Sequence, residues 1–342
     1  MTSPGQAAAL APFVRILGRG PGRSRSLTRA ESGAAMALML SGEAAPEAVG
    51  ALLMLMRYRH ETPEELAGFV DAARASLLEW RMPEVDLDWP SYAAGKSRGL
   101  PYFLLSALLL AGNGIRVAMH GYNSHGAAAA ATRAALWALG IEIARTPDTA
   151  RHQLAASHFT YVPLDALSPP LLGLLKLRGV LGLRSPVNST LRLLNPWCAP
   201  AAIQGVFHPP YIRLHVEASR LLGQPRSSVF KGGGGEAERN PVKSLAVEGL
   251  AGGEPVADTW PPLIAGPHRR LHEHEEIDVA KLVRLWHGED EDDFAEAIVI
   301  GTAAVAIKTV GRAESLEDAT ALARRWWGAR QAGAMPRRRL TA

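Results

Sequence analysis

Cysteine, aromatic residues and long apolar runs are all scarce in this chain of 342 residues, and each scarcity narrows what it can be. A single cysteine, Cys198, excludes an internal disulfide and points to a reducing compartment. It stands in "NPWCAP" with no base beside it, so it reads as structural rather than nucleophilic. The longest apolar run, Leu100 to Gly112, falls short of the roughly 20 residues that a bilayer-spanning helix needs. The opening residues do not read as a signal peptide, because Pro12 and Arg15 break the apolar part and the arginines follow it. A strong charge of one sign is also missing. Thirty-seven Lys and Arg against 33 Asp and Glu leave a net charge of +4, which admits a polyanionic partner without demanding one. These absences predict a soluble, cytoplasmic protein, and a hydrophobic content of 47% is ample for a large core.

What is present changes in character along the chain. "GRGPGRSRS" (18–26) reads as a basic linker, so residues 1–26 are expected to be a flexible N-terminal segment. Three close-set helices follow. Thr28 and Glu31 have capping-box spacing, "APEAVGALLMLMRYRH" is apolar nearly all round and is expected to be buried, and Thr62, Pro63 and Glu65 open the third helix. After Trp80, short β-rich runs ("EVDLDW", "IRVAMHG", "FTYVPL", "AIQGVF", "SSVFKG") alternate with helical segments. That alternation predicts an α/β class with a mainly parallel central sheet beside a small all-α unit. Ser315 and Asp318 are placed to open the last helix, and a basic tail closes the chain at 331–342.

Several clusters carry chemistry. "MHGYNSHG" (119–126) ends a strand with polar groups, where parallel sheets hold ligands, though a self-satisfied turn would look the same. The four glycines of "FKGGGGEAERNPVKS" (230–244), flanked by Lys231, Arg239 and Lys243, either cradle an anion or merely connect. Arg178, Arg184 and Arg192 lie among leucines with few acids nearby, which favours a phosphate-facing patch. His268, His272 and His274 in "HRRLHEHEEID" have no second cluster to complete a metal site, so no metal is assigned. "SYAAGKSRGLP" (91–101) sits between a strand and an apolar helix like a phosphate loop. It carries Lys96 and Arg98 where glycines would be expected.

"LTRAESGAAMALMLSGEAAPEAVGALLMLMRYRHETPEELAGFVDAAR" resembles the N-terminal helical domain of anthranilate phosphoribosyltransferases. "HGYN", "LGLRS", "LLNP" and "AVAIKTVGRAESLEDATALARRW" follow in that family's order, so the resemblance spans nearly the whole chain. It implies a helical dimerisation domain of 27–80 plus 166–192, an α/β domain of 81–165 plus 193–330, and a homodimer. His120, Gly121, Asn123 and Arg178 match the family's motifs. Ser106 is a remnant of a donor-site motif, while Met119 replaces a lysine, Ala237 and Glu238 replace an Asp-Glu pair, and Ser168 replaces a histidine. "SYAAGKSRG" stands where the enzymes carry a glycine run ending in aspartate. This pattern is similar to the YbiB-like branch of the glycosyl transferase superfamily, which is associated with single-stranded DNA or RNA.

Phosphoribosyl transfer needs magnesium-holding carboxylates and close glycine backbone, and this chain has lost most of both. The resulting expectation is a non-enzymatic protein with no catalytic residues and no cofactor, binding single-stranded nucleic acid largely without sequence preference. Lys96, Arg98, Arg178, Arg184, Arg192, Lys231, Arg239 and Lys243 would form its groove, and Tyr92, Tyr102 or Tyr122 would stack on bases. The alternative is a phosphoribosyltransferase with an unknown acceptor, using magnesium and His120, Asn123, Arg178 and Glu238.

Overall fold

The computed structural model describes residues 9–92, 99–122, 132–266 and 278–330. It begins with helices. α1 (Ala11–Gly18) buries Leu17, and Leu10 before it is fully buried. Over residues 9–26 this corrects the expectation of a flexible segment at 1–26, of which 1–8 lie outside the described residues. A helix of 8 residues is marginal alone, so its order comes from tertiary packing that the local sequence does not advertise. α2 (Arg29–Ser41) opens on the expected capping box, with Thr28 and Glu31 exchanging hydrogen bonds. α3 (Pro46–Arg59) buries Val49, Leu52, Leu53 and Met56 but leaves Tyr58 86% exposed, so one face is buried rather than the whole surface.

α4 (Pro63–Ala75) is capped by Thr62 with Pro63 in the first turn. Its Glu65 accepts from the Thr62 N–H at 2.9 Å and from the Leu27 N–H at 2.8 Å, which pins the entry of α2 to that of α4. Burial raises the Glu65 carboxyl against those hydrogen bonds. The two helices cross at Gly33 and Gly68. A Cβ on Gly68 would collide with the Ser32 hydroxyl and the Arg29 carbonyl. Leu171, Leu174 and Leu191, from much later in the chain, complete this helical core with Met36, Leu53 and Phe69.

The remainder is built on a seven-stranded sheet of order β3-β2-β1-β4-β5-β6-β7. β1 (Leu87–Ser91), β2 (Val117–Gly121), β3 (Phe159–Pro163), β4 (Ala201–Val206) and β5 (Arg226–Lys231) are parallel, as the sequence predicts. β6 (Leu245–Ala251) and β7 (Glu254–Trp260) add an antiparallel hairpin that the sequence reading passed over. Its signal was present. Gly252 and Gly253 both have positive φ, as a two-residue hairpin turn requires.

The chain continues through α5 (Tyr102–Gly112), α6 (Thr132–Ala138), α7 (Pro147–Ser157), α8 (Leu164–Leu167) and α9 (Pro169–Lys176), and α13 (Ala280–His287) precedes α14 (Asp293–Thr309). α5 and α14 pack together against the sheet, so nearly every residue of "YFLLSALLLAG" is buried. The Ser106 hydroxyl donates to the Val299 carbonyl at 2.9 Å in that helix contact, so its place in this fold is in the packing of the two helices. α15 (Leu316–Ala329) begins at Ser315, whose hydroxyl accepts from the Asp318 N–H at 3.0 Å. Among the described residues no helix is long and apolar enough to cross a membrane.

The Gly33–Gly68 crossing yields a stability prediction. Gly68→Ala should destabilise the fold by about 1–3 kcal/mol, the cost typical of overpacking, measured by urea unfolding. Gly112→Ala, in a helix end with open space around it, is the control and should be neutral or slightly stabilising. Equal effects of the two would refute the close-approach reading.

Candidate functional site

A cavity of about 340 Å³ lies where the helical parts meet the C-terminal end of β4. Arg57 and Glu61 reach it from the end of α3. Arg178, Arg184, Asn188 and Arg192 come from α10 (Arg178–Leu181), the turn after it and α11 (Val187–Leu193). Phe207 and His208 follow β4, and Tyr211 and His215 project from α12 (Pro210–Leu221). Carboxyl ends of parallel strands are where open α/β sheets place ligands.

The inner wall is held by Arg192, which is 7% exposed. Its guanidinium donates to three backbone carbonyls: Gly205 at 3.2 Å, Asn188 at 2.8 Å and Tyr92 at 3.0 Å. Burial lowers its pKa to about 10 while the charge of Glu236 works the other way, so it remains a cation at neutral pH. His215 faces this charge. Burial, and then Arg192, push the imidazole down to about 3. It is therefore neutral, with Nδ1 2.9 Å from the Gln204 side-chain oxygen and Nε2 buried without a hydrogen-bond partner.

The mouth is basic and apolar together. Burial lowers the Arg184 pKa, and the like charges of Arg178 and Arg57 lower it further. Arg57 donates to the Tyr211 hydroxyl, and burial raises the Glu61 carboxyl above its ordinary range. Four arginines against one glutamate in the lining leave the cavity positive. Among its lining residues Leu183 and Phe207 are exposed.

Of the residues singled out from sequence, Arg178, Arg184 and Arg192 converge here, although Arg192 is spent on backbone carbonyls. Lys96, Arg98 and Asn123 lie outside the described residues, as does the 268–275 histidine cluster. Lys231 and Lys243 are exposed but do not line the cavity. Arg239 is fully buried against Trp260 on another part of the molecule. Tyr92 and Tyr102 are buried too and have no face to offer a base, which leaves half-buried Tyr122. Ser168 caps the helix Pro169–Lys176.

His120 is wholly interior. Burial raises the Tyr92 phenol pKa far above the ordinary value, and its hydroxyl shares a hydrogen bond with His120 Nδ1 at 2.7 Å. Asp88 lies 3.3 Å from Nε2 on the other side. Gly121 is required because a Cβ there would strike the Ser91 carbonyl.

The glycine run is no anion cradle. Gly233–Gly235 form a 3₁₀ turn whose surrounding amides bond within the loop or to β4: Gly232 to Val206, Gly233 to Glu238, Gly235 to Gly232 and Glu236 to Gly233. Glycine is needed there for packing, since a Cβ on Gly205 or Gly232 would meet the Glu236 backbone. Arg57, Glu61, Phe207, His208, Tyr211 and His215 were missed. Nothing local in "LMLMRYRH" indicates that Arg57 faces a segment more than a hundred residues away, though "FHPPYIRLH" does space two histidines around a helix start.

Helical bundle, mixed sheet and interdomain cavity together describe a transferase scaffold. Residues 11–77 match the helical bundle domain of the glycosyl transferase family, and residues 103–328 match its a/b domain. The chain belongs to the glycosyl transferase family, on its anthranilate phosphoribosyltransferase-like side. It is similar to the anthranilate phosphoribosyltransferase of Rhodopseudomonas palustris strain BisA53, with 29% identity over 91% of this chain and 92% of that one. The enzyme of Desulfitobacterium hafniense strain DCB-2 is 31% identical, but the match spans only 57% of each chain. The anthranilate phosphoribosyltransferase structure from Thermus thermophilus superposes with a TM-score of 0.77 at 24% identity, covering 95% of this chain and 96% of that one. The Saccharomyces cerevisiae enzyme in complex with PRPP and Mg gives 0.76 at 15%, covering 96% of each chain.

Magnesium does not fit the described residues. Ala237 offers no oxygen ligand from its side chain, and Glu238 is fully buried with its Oε2 accepting from the Phe103 N–H at 3.0 Å. No group of three or more His, Cys, Asp or Glu side chains among the described residues is placed to hold a metal ion.

His215 supplies a pH prediction. The unfolded chain binds a proton there below its ordinary 6.5, whereas the native imidazole accepts one only near 3. Between those values the unfolded state holds more protons, so this contribution to stability is lost as pH falls from 6.5 towards 3. His215→Gln should flatten the urea midpoint against pH across that window. An unchanged pH profile would show that the imidazole is not held neutral.

Proposed function

We propose that this chain binds single-stranded nucleic acid at the mouth of the interdomain cavity and does not transfer phosphoribosyl groups. The observation that carries the reading is the convergence of Arg57, Arg178 and Arg184 in one lining with the exposed ring of Phe207. Guanidinium groups recognise phosphates, and exposed aromatic rings stack on bases whatever their sequence. The lack of a magnesium-holding carboxylate set among the described residues supports the same reading. The backbone-contacting set is smaller than the sequence suggests, because Arg192 and Arg239 are committed to the interior.

A phosphoribosyltransferase with an unknown acceptor is the second reading. It is favoured by the size of the cavity, about 340 Å³, which suits a small molecule, and by relatives named as such enzymes. In that reading Arg178 and Arg184 would bind an acidic acceptor, and the Mg implied by the yeast complex would need ligands beyond the described residues. The homodimer expected through the helical parts remains a proposal of the same kind. Sedimentation at micromolar concentration should show a dimer, and a monomer throughout would remove it.

Two measurements made on one preparation decide between the readings. Affinity for single-stranded DNA should fall with salt, with a logarithmic slope of about −0.7 for each phosphate contacted. Arg178→Ala with Arg184→Ala should weaken binding to unrelated sequences alike and flatten the slope by roughly 0.7 to 1.4. Replacing Arg337, Arg338 and Arg339 by alanine controls for diffuse charge and should do less. With PRPP, magnesium and anthranilate no product should form. Turnover without DNA binding at physiological salt reverses the assignment.

A further inference from the structure

The carboxyl edge of the sheet runs on past the interdomain cavity. Val206, the last residue of β4, lines that cavity, and its parallel register partner at the end of β5 is Lys231. Register partners project to the same face of a sheet from strands about 4.8 Å apart. Alternation along β5 agrees. Val229 packs with Ile212 and Val216 of α12, whereas Phe230 belongs to the opposite core, with Ile298 of α14. Lys231 therefore points to the α12 side, where Tyr211 and His215 wall the cavity.

Phe207 follows Val206 directly and lines the cavity with its ring half exposed, in edge contact with His208 at 4.7 Å between centroids. Lys231 is exposed and has no ion pair among the described residues, and the same holds for Arg178. The two glutamates that follow Lys231, Glu236 and Glu238, are buried and leave its charge to the solvent side. Crossing from the helical parts over the end of β4 to the end of β5, the surface thus offers cations, a ring and a further cation. A small anion seated on Arg178 and Arg184 has no use for the ring or for the lysine one strand away. A polymer that alternates phosphates with bases matches all three.

We propose that a bound single strand leaves the cavity mouth across the ring of Phe207 and sets its next phosphate on Lys231, along the α12 side of the sheet's carboxyl edge. This course rests on the nucleic-acid reading of the mouth and gives it an exit and a stacking residue. A duplex, whose bases are stacked on one another, offers Phe207 no free face.

The test uses the full chain and two labelled strands of about twelve nucleotides, a length typical of single-strand sites, one of thymidine and one abasic throughout. Fluorescence anisotropy is followed against salt. Phe207→Leu should weaken the thymidine strand roughly five- to a hundredfold and leave the abasic strand unchanged, while Phe207→Trp should keep parental affinity. Lys231→Ala should flatten the logarithmic salt slope by about 0.7 on both strands. Arg324→Ala removes the same charge from exposed α15, on the α14 side of the sheet, and should leave the slope as it is. Equal affinity of the parent for the two strands marks attraction of any polyanion and overturns the proposal. An unchanged slope in Lys231→Ala overturns it as well, even where Phe207→Leu fails to fold. In both cases loss of binding in Arg178→Ala with Arg184→Ala leaves the reading of the mouth standing. No binding of either strand by the parent removes the reading and the course together.

Discussion

Three backbone carbonyls, from residues 92, 188 and 205, meet on the buried guanidinium of Arg192. They belong to the chain just after β1, to α11, and to β4. One side chain therefore ties the last helix of the connecting segment to two neighbouring strands of the sheet. A buried cation is costly unless its donors are all engaged and an opposite charge is near. Backbone oxygens supply the first condition and the field of Glu236 the second. The position of Glu236 in turn depends on Gly205 and Gly232, because a side chain at either would occupy the space of the Glu236 backbone. Glycine, glutamate and arginine thus form one constraint shared by segments well separated in sequence.

That constraint sets the cavity. α11 is fixed through Arg192, so the turn immediately before it is fixed too, and this turn carries Arg184. Burial, and then the same charge, keep His215 neutral and give the inner wall little capacity to take up a proton. The positive charge left for a ligand is consequently confined to the mouth, where Arg57, Arg178 and Arg184 repel one another. Like charges gathered at an opening attract an anion more strongly than the same charges scattered over a surface.

Features governed by local chemistry were legible in the sequence. The caps at Thr28, Thr62 and Ser315 depend on contacts three residues apart, and each is present. The parallel strands were legible because both faces are covered, which forces short apolar runs. Arg178 and Arg184 were found because bases among leucines are conspicuous. The fates of Arg192, Arg239, Ser106 and Tyr92 were not legible, since their partners lie far along the chain. Ser106 meets a carbonyl 193 residues away. An arginine in a string of letters reads as solvent-facing, and only the tertiary fold reveals that its donors have been taken. The glycine run misled for a related reason. Glycine permits a phosphate cradle and a tightly packed turn equally well, and here the amides of Gly232, Gly233, Gly235 and Glu236 are bonded within the loop or to β4.

Membership of a transferase family therefore constrains the frame more than the chemistry. The fold is shared with the Thermus enzyme at a TM-score of 0.77. The shared frame needs Gly121 and buried His120 for its own packing, whatever is bound. His120 sits between a phenol and a carboxylate, linking the ends of β1 and β2 from inside. Motif residues of this kind can outlast the reaction they once served, because removing them would leave buried polar groups without partners. Their presence is thus weak evidence for turnover. The stronger evidence lies in residues the frame does not need, and at this cavity those are the arginines and aromatic rings at its mouth.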